Sequence, residues 1–240
     1  MTRRFLAVFG LLLSLAMVST PLVAAQSDPD VRAIGDTVSA TDTTALVAAL
    51  EADVPTRGLP DGFTRAAYVD INTAADAASQ NCMYDASSVD VEGAAGYILT
   101  VDADVIPYQY TCASINYLAF NPNELGDDPL GDFKRGVEQG LAESATPVAE
   151  GTPVSENGEG SVSDITVAGE DAILITYTLE QDGAHVIVQT IAIPVGNVFV
   201  IALVSVGDTA EIDPAEIETL ANDLTVAAIV HLGNVAENAQ

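Results

Sequence analysis

Alternating apolar and polar residues in the last third of the chain predict a β-hairpin. Asp182-Gly183 separates two such runs, and a two-residue Asp-Gly turn is typical of hairpins. Pairing Gln181 with Ala184 fixes the register. One face then carries Ile173, Ile175, Tyr177 and Leu179 opposite Ala192, Thr190, Val188 and Val186. Because these pairs are largely apolar, we expect this face to be buried.

The opposite face of the predicted hairpin is polar near the turn and apolar away from it. Its pairs are Glu180 with His185, Thr176 with Gln189, and Leu174 with Ile191. A second turn at Gly196-Asn197 returns the chain as Val198 to Val206, which is apolar on both faces. This pattern is typical of a central strand covered on both sides. We therefore expect helices on both faces of the sheet.

Three segments carry helix signals. Asp42, Asp128 and Asp213 can each cap a helix, and a proline follows the last two directly. Apolar residues then recur at spacings of three and four: Leu46, Val47, Leu50 and Val54; Leu130, Phe133, Val137 and Leu141; Ile217, Leu220, Leu224 and Ala228. The last helix is expected to end near Gly233, since glycine is common just after a helix.

The remaining pattern predicts further strands. The Leu-Pro-Asp-Gly-Phe turn at 59–63 leads into a predicted strand at 66–71, and further strands are expected at 97–101 and 108–120. Together these elements predict an α+β fold in which helices cover both faces of an antiparallel β-sheet, an α/β/α sandwich.

The N-terminal residues 1–25 have the pattern of a secretory signal peptide. Arg3 and Arg4 precede an apolar run from Phe5 to Val18, and small residues follow at Ala24-Ala25. The run is shorter than the roughly 20 residues that a spanning helix needs. We therefore expect a secreted, extracellular protein without a stable membrane anchor.

The rest of the chain divides into four predicted parts. Residues 26–40 are polar and predict a flexible leader, and residues 41–233 form one domain. Within it, the Ser-, Thr-, Pro-, Gly- and Glu-rich stretch 144–163 predicts a mobile loop. Residues 234–240 are expected to be a C-terminal tail.

Charge narrows the range of partners. The chain has 35 acidic residues against seven basic ones, a formal net charge of −28 at pH 7. Nucleic acids and anionic lipid surfaces are bound through clustered basic residues, so neither is an expected partner. Cations are possible partners, although acidity also keeps a secreted protein soluble and suits a salty medium. The same carboxylates would serve either purpose.

Both cysteines, Cys82 and Cys112, lie in the part that would be exported. Thiols tend to pair in that oxidising environment, so we expect one disulfide. Its loop of about 30 residues would stabilise the fold by roughly 3 to 4 kcal/mol. A thiol titration under denaturing conditions that found two thiols would contradict it.

The two histidines do not indicate a catalytic site. The chain has no Gly-x-Ser-x-Gly sequence, which marks one class of serine hydrolase. His185 is expected to be an exposed cross-strand partner of Glu180. His231 is expected in the last turn of the terminal helix, where a cation meets the negative end of the helix dipole. No zinc or other cofactor is predicted, because too few zinc ligands are available.

Two pairs of carboxylates are candidate calcium ligands. Asp102 and Asp104 would share a strand face or lie in a turn, and Asp127 adjoins Asp128, which can cap a helix. Neither pair lies in a twelve-residue calcium loop. The densest aromatic group is Tyr108, Tyr110 and Tyr117. Such residues more often belong to a core or a sheet surface than to a pocket.

The order of these elements resembles a known fold. A helix, the turn at 59–63, a long variable middle, hairpin strands and a terminal helix within 171–231 resemble the PsbP-like fold and the mycobacterial LpqN-type secreted lipoproteins. The resemblance implies a non-catalytic extracytoplasmic binding or accessory module. The chain lacks the lipid-attachment cysteine of such lipoproteins, and no binding residue can be transferred.

The function expected from the sequence is therefore that of a non-catalytic extracellular binding or accessory module with an unknown partner. One alternative is a calcium-dependent surface or adhesive module. Another is a secreted hydrolase that uses two carboxylates, one of them with a raised pKa.

Overall fold

A computed structural model describes residues 28–56, 58–72, 86, 89–108, 110–123, 125–144, 159–181, 184–208 and 210–240. The predicted signal peptide at 1–25, Cys82 and residues 145–158 of the predicted loop lie outside the described residues. None of the helices in the described ranges combines the length and the apolar character that crossing a membrane requires.

The described residues form seven strands and four helices. The strands are β1 (Phe63–Val69), β2 (Gly93–Val101), β3 (Tyr110–Ala119), β4 (Glu159–Val167), β5 (Glu170–Gln181), β6 (Ala184–Val195) and β7 (Val198–Asp208). The helices are α1 (Val31–Ala40), α2 (Thr43–Ala52), α3 (Pro129–Ser144) and α4 (Pro214–Asn238). The strands form one sheet in the order β1-β2-β3-β7-β6-β5-β4, and all neighbours are antiparallel. The predicted α+β class is therefore confirmed.

The hairpin of β5 and β6 has the predicted register. Gln181 lies opposite Ala184, and Ile173 lies opposite Ala192 at the far end. β7 is the fourth of the seven strands and pairs with β3 and β6. It is thus the central strand that its two apolar faces predicted.

The first face of the sheet carries the larger core. Val200 and Val204 of β7 lie in one buried cluster with Leu46 of α2 and with Ile217 and Leu224 of α4. Val38 of α1 belongs to the same cluster. Side chains alternate along a strand, so the even-numbered residues of β7 point to this face. The helices α1, α2 and α4 therefore pack on the first face.

The second face carries a smaller cluster around the odd-numbered residues of β7. Phe199 and Ile201 are buried there, and Phe133 of α3 stacks on Phe199 with ring centroids 5.0 Å apart. Lys134 of α3 also forms an ion pair with Asp164 of β4, with an Nζ–Oδ1 distance of 2.6 Å. These contacts join α3 to β7 and β4.

The prediction of a flexible leader at 26–40 is wrong for residues 31–40. Residues 31–40 form α1, and Asp30 caps it by accepting a hydrogen bond from the Ala33 amide at 3.1 Å. Val31 and Val38 are buried on one side of the helix. Their spacing of seven residues is helical, but intervening polar residues hid the stripe.

The predicted end of the terminal helix is also wrong. α4 continues past Gly233 to Asn238, so most of the predicted tail is helical. A Cβ at Gly233 would lie 3.1 Å from Cγ1 of Ile34 in α1. The glycine therefore allows a close contact between α1 and α4.

The last five residues of the predicted loop at 144–163 belong to a strand instead. α3 ends at Ser144, as the loop boundary requires, but β4 begins at Glu159. This strand pairs with β5, and Val162 lies opposite Ile175. β4 is an edge strand and carries Ser161, Ser163 and other exposed polar residues, so its alternation is weak.

Candidate functional site

The disulfide of Cys82 and Cys112 stays a prediction, because Cys82 lies outside the described residues. Cys112 lies half-buried in β3, opposite Ser205 of β7. It is not a free cysteine.

His185 has the exposed position that the hairpin register predicted. It lies opposite Glu180, and its Nδ1 is 3.5 Å from Glu180 Oε1. The two side chains are 52% and 76% exposed. An exposed pair of this kind contributes little to stability. The structure does not bring His185 together with His231, which is buried in α4.

His231 does not lie in the last turn of its helix, because α4 continues for seven further residues to Asn238. The side chain is only 8% exposed. Its ring centroid lies 5.9 Å from that of Tyr97 and 6.0 Å from that of Tyr117. The expected interaction with the helix dipole is therefore replaced by packing in a Tyr-Tyr-His cluster.

The hydroxyl groups of this cluster connect the helices to the sheet. Tyr97 donates a hydrogen bond to the carbonyl oxygen of Leu50, and Tyr117 donates one to that of Ala228 at 3.0 Å. The Asp53 carbonyl, at the end of α2, lies 3.4 Å from the Tyr97 hydroxyl. Carbonyls at a helix end lack partners within the helix, so the Tyr97 hydroxyl satisfies one at the end of α2, whereas Tyr117 bonds to a carbonyl in the middle of α4.

Burial determines the charge states in the cluster. It lowers the pKa of His231, while the charge and the backbone of Asp53 act weakly in the opposite direction. Burial also raises the pKa values of Tyr97 and Tyr117. Nε2 of His231 has no hydrogen-bond partner among the described residues. The neutral imidazole is thus the form that this site accommodates.

Protonation of His231 should therefore destabilise the fold in acid. The folded pKa lies below the unfolded value of about 6.5, so this stability is complete above that pH and is lost as the pH falls through the folded pKa. One proton contributes a slope of at most about 1.4 kcal/mol per pH unit. We expect His231→Gln to reduce the slope of unfolding free energy between mildly acidic and neutral pH, measured by urea denaturation.

The exposed His185 supplies the matched control. His185→Gln should leave the pH dependence of stability close to that of the unmodified protein. An unchanged slope in His231→Gln would contradict the role assigned to the buried imidazole.

Two of the four candidate calcium ligands accept hydrogen bonds from nearby backbone amides. Asp102 follows β2 and accepts a hydrogen bond from the Asp104 amide at 3.0 Å within a turn. Asp128 accepts one from the Gly131 amide at 3.0 Å at the start of α3. Among the described residues, no group of three or more His, Cys, Asp or Glu side chains could hold a metal ion.

The three tyrosines do not form one site. Tyr117 is buried in the cluster with His231, and the half-buried Tyr108 donates a hydrogen bond to Glu216 Oε2 at 2.9 Å. Burial and this contact raise the pKa of Tyr108 to about 12. Tyr110 is the first residue of β3.

An open cleft lies between one side of α4 and the strands β4 and β6. Its volume is about 360 Å³, within the range of small-molecule sites. The lining residues are Ile165, Thr166, Ile191, Ala215, Glu218, Thr219 and Asn222. The four helical positions recur at spacings of three and four, so they share one face of α4. The cleft thus combines two isoleucines with a polar helix face.

A buried amide lies next to the cleft in the sheet. Gln189 is 2% exposed and is two residues from Ile191, on the same face of β6. Its Oε1 has no hydrogen-bond partner among the described residues. A buried acceptor without a partner is costly and requires an explanation, such as a water molecule or a ligand.

The sequence analysis did not identify these cleft residues as a site. They come from β4, β6 and α4, and no motif connects the three segments. The one available signal was Gln189, a polar residue in the predicted pair with Thr176 on a face that becomes apolar at Ile191.

Neither a protein-family model nor a curated protein matches the chain. One similar solved structure is PA94, a protein of unknown function from Pseudomonas aeruginosa. It is 18% identical, and the match covers 47% of this chain and 65% of PA94, with a TM-score of 0.30.

A second is LpqN of Mycobacterium tuberculosis, involved in cell envelope biogenesis. It is 15% identical, and the match covers 55% of this chain and 59% of LpqN, with a TM-score of 0.22. The chain covers less than two thirds of either protein. Both likenesses are loose and concern the fold alone.

Proposed function

We propose that the protein is a secreted, non-catalytic binding module that holds a small ligand in the cleft between α4 and the strands β4 and β6. The observation that carries this proposal is the cleft itself, in which the apolar Ile165 and Ile191 lie opposite the polar face of α4. Sites for small molecules combine apolar walls with a few polar groups in this way.

The positions of the two histidines favour binding over catalysis. His185 pairs with Glu180 on the surface, and His231 packs between two tyrosine rings. Both side chains thus have structural surroundings, and neither is among the residues that line the cleft. The proposal of secretion rests on the signal pattern at 1–25.

The complete α/β/α, PsbP-like arrangement also belongs to this proposal. The stacking of Phe133 on Phe199 supports a helix layer on the second face, and α1, α2 and α4 supply a layer on the first. The cleft lies beside α4, a helix of the first layer.

Titration of the mature protein with n-hexanol tests the proposal. We expect saturable changes in the amide NMR signals of Thr166, Ile191 and the segment 215–222, because an apolar chain displaces water from the two isoleucines. Absence of changes at these positions for neutral, cationic and anionic six-carbon probes alike would contradict a ligand site in the cleft.

A further inference from the structure

We propose that the ligand of this cleft is a small organic cation, a primary ammonium group attached to an apolar body. This inference rests on the proposed function and specifies the chemical class that the cleft would select. Three independent features of the lining support it: its charge, its hydrogen-bonding groups and its apolar floor.

The charge of the lining favours a cation. Glu218 of α4 is the charged side chain in the lining, and no Lys or Arg accompanies it among the described residues. The three basic side chains that the structure describes are paired elsewhere, Arg32 with Glu170, Lys134 with Asp164 and Arg135 with Asp132. An anionic ligand would therefore lack a counter-charge here.

The net charge of the whole chain also favours a cationic ligand. The chain has a formal net charge of −28 at pH 7, which attracts cations and repels anions on approach. Salt screens such fields beyond about 8 Å at physiological ionic strength, so the local Glu218 carboxylate matters most for the bound state. Specificity should thus depend on this one side chain.

The hydrogen-bonding groups of the lining can accept hydrogen bonds from a ligand. The Thr219 hydroxyl already donates to the Ala215 carbonyl oxygen at 2.9 Å, so it offers only acceptor lone pairs to the cleft. The Asn222 side chain in the lining adds an amide oxygen as an acceptor beside its own amide donors. An ammonium group has three donors and no acceptor, so it can bond to the Glu218 carboxylate and the Thr219 oxygen together.

The apolar floor requires more than a bare ion. Ile165 and Ile191 would contact a hydrocarbon chain, and the volume of about 360 Å³ exceeds that of an ammonium group alone. Inorganic cations would gain nothing from the two isoleucines. A linear chain of about six carbons with one terminal amine is a suitable probe.

The test compares three probes that share one chain, n-hexylammonium, n-hexanol and n-hexanoate, by NMR titration of the mature protein near neutral pH and low salt. We expect n-hexylammonium to bind most tightly and n-hexanoate most weakly. Glu218→Gln should weaken n-hexylammonium about twofold to fivefold and leave n-hexanol unchanged, since an exposed ion pair contributes up to about 1 kcal/mol.

Glu237→Gln is the matched control, because it removes the same charge from an exposed position near the other end of α4. It should leave the affinity for n-hexylammonium unchanged. Equal losses in both variants would indicate diffuse attraction and overturn the inference.

The outcomes also separate this inference from the proposed function. If n-hexanol or n-hexanoate binds in the cleft at least as tightly as n-hexylammonium, the cation preference is wrong while the binding site stands. If none of the three probes changes the cleft signals, the proposed function fails and this inference fails with it.

Discussion

Phe199→Ala is expected to lower the free energy of unfolding by about 3 to 5 kcal/mol, the usual cost of removing a buried phenylalanine ring. Phe199 is 3% exposed and lies on the central strand β7. Its ring stacks on Phe133 of α3 and meets Phe120 edge-on, with centroids 5.6 Å apart. The substitution would therefore leave a cavity between α3 and the second face of the sheet.

Urea denaturation of the mature protein measures this loss, and Val105→Ala is the control. Val105 is 52% exposed, so its truncation should change stability by less than about 0.5 kcal/mol. A loss below about 1 kcal/mol for Phe199→Ala would contradict the close packing of Phe133 on Phe199.

Gly196→Ala is expected to destabilise the fold by about 1 to 3 kcal/mol more than Gly169→Ala. Both glycines have positive φ angles, 63° and 86°, so either alanine carries the cost of a left-handed backbone. A Cβ at Gly196 would also lie 2.6 Å from the carbonyl oxygen of Gly35 and 2.6 Å from Ser39 Oγ. Because the Gly35 oxygen belongs to the backbone of α1, the helix would have to move to make room for the new Cβ.

Gly169 isolates the backbone contribution, because a Cβ there would have no atom within 4 Å. The two free energies of unfolding are compared in the same urea titrations. Equal losses would contradict the close packing of α1 against the turn between β6 and β7.

The fold followed from the sequence where local signals agreed with burial. Asp182-Gly183 fixed the β5–β6 register, and two apolar faces identified β7 as central. The stripe of α1 was obscured because only Val31, Gly35 and Val38 are buried and polar residues alternate with apolar ones along the rest of the helix. The end of α4 was misplaced because Gly233 serves a helix contact that a single local pattern does not reveal.

The candidate site was harder to predict than the fold. The cleft depends on the distance between α4 and β4, which are separated along the chain by the three strands β5, β6 and β7, and tertiary packing alone determines that distance. The burial of His231 was likewise hidden, since it results from Tyr97 and Tyr117 on two different strands. Local periodicity carries no information about such contacts.

Filling the cleft tests the central claim most directly. Thr219 is exposed on the helix face that lines the cleft, so Thr219→Trp would place an indole ring where the ligand is proposed to lie. Glu237→Trp adds the same ring near the end of α4 as a control. We predict that Thr219→Trp weakens n-hexanol binding at least about tenfold while Glu237→Trp does not. Unchanged binding in Thr219→Trp, with the fold intact by NMR, would contradict a ligand site in this cleft.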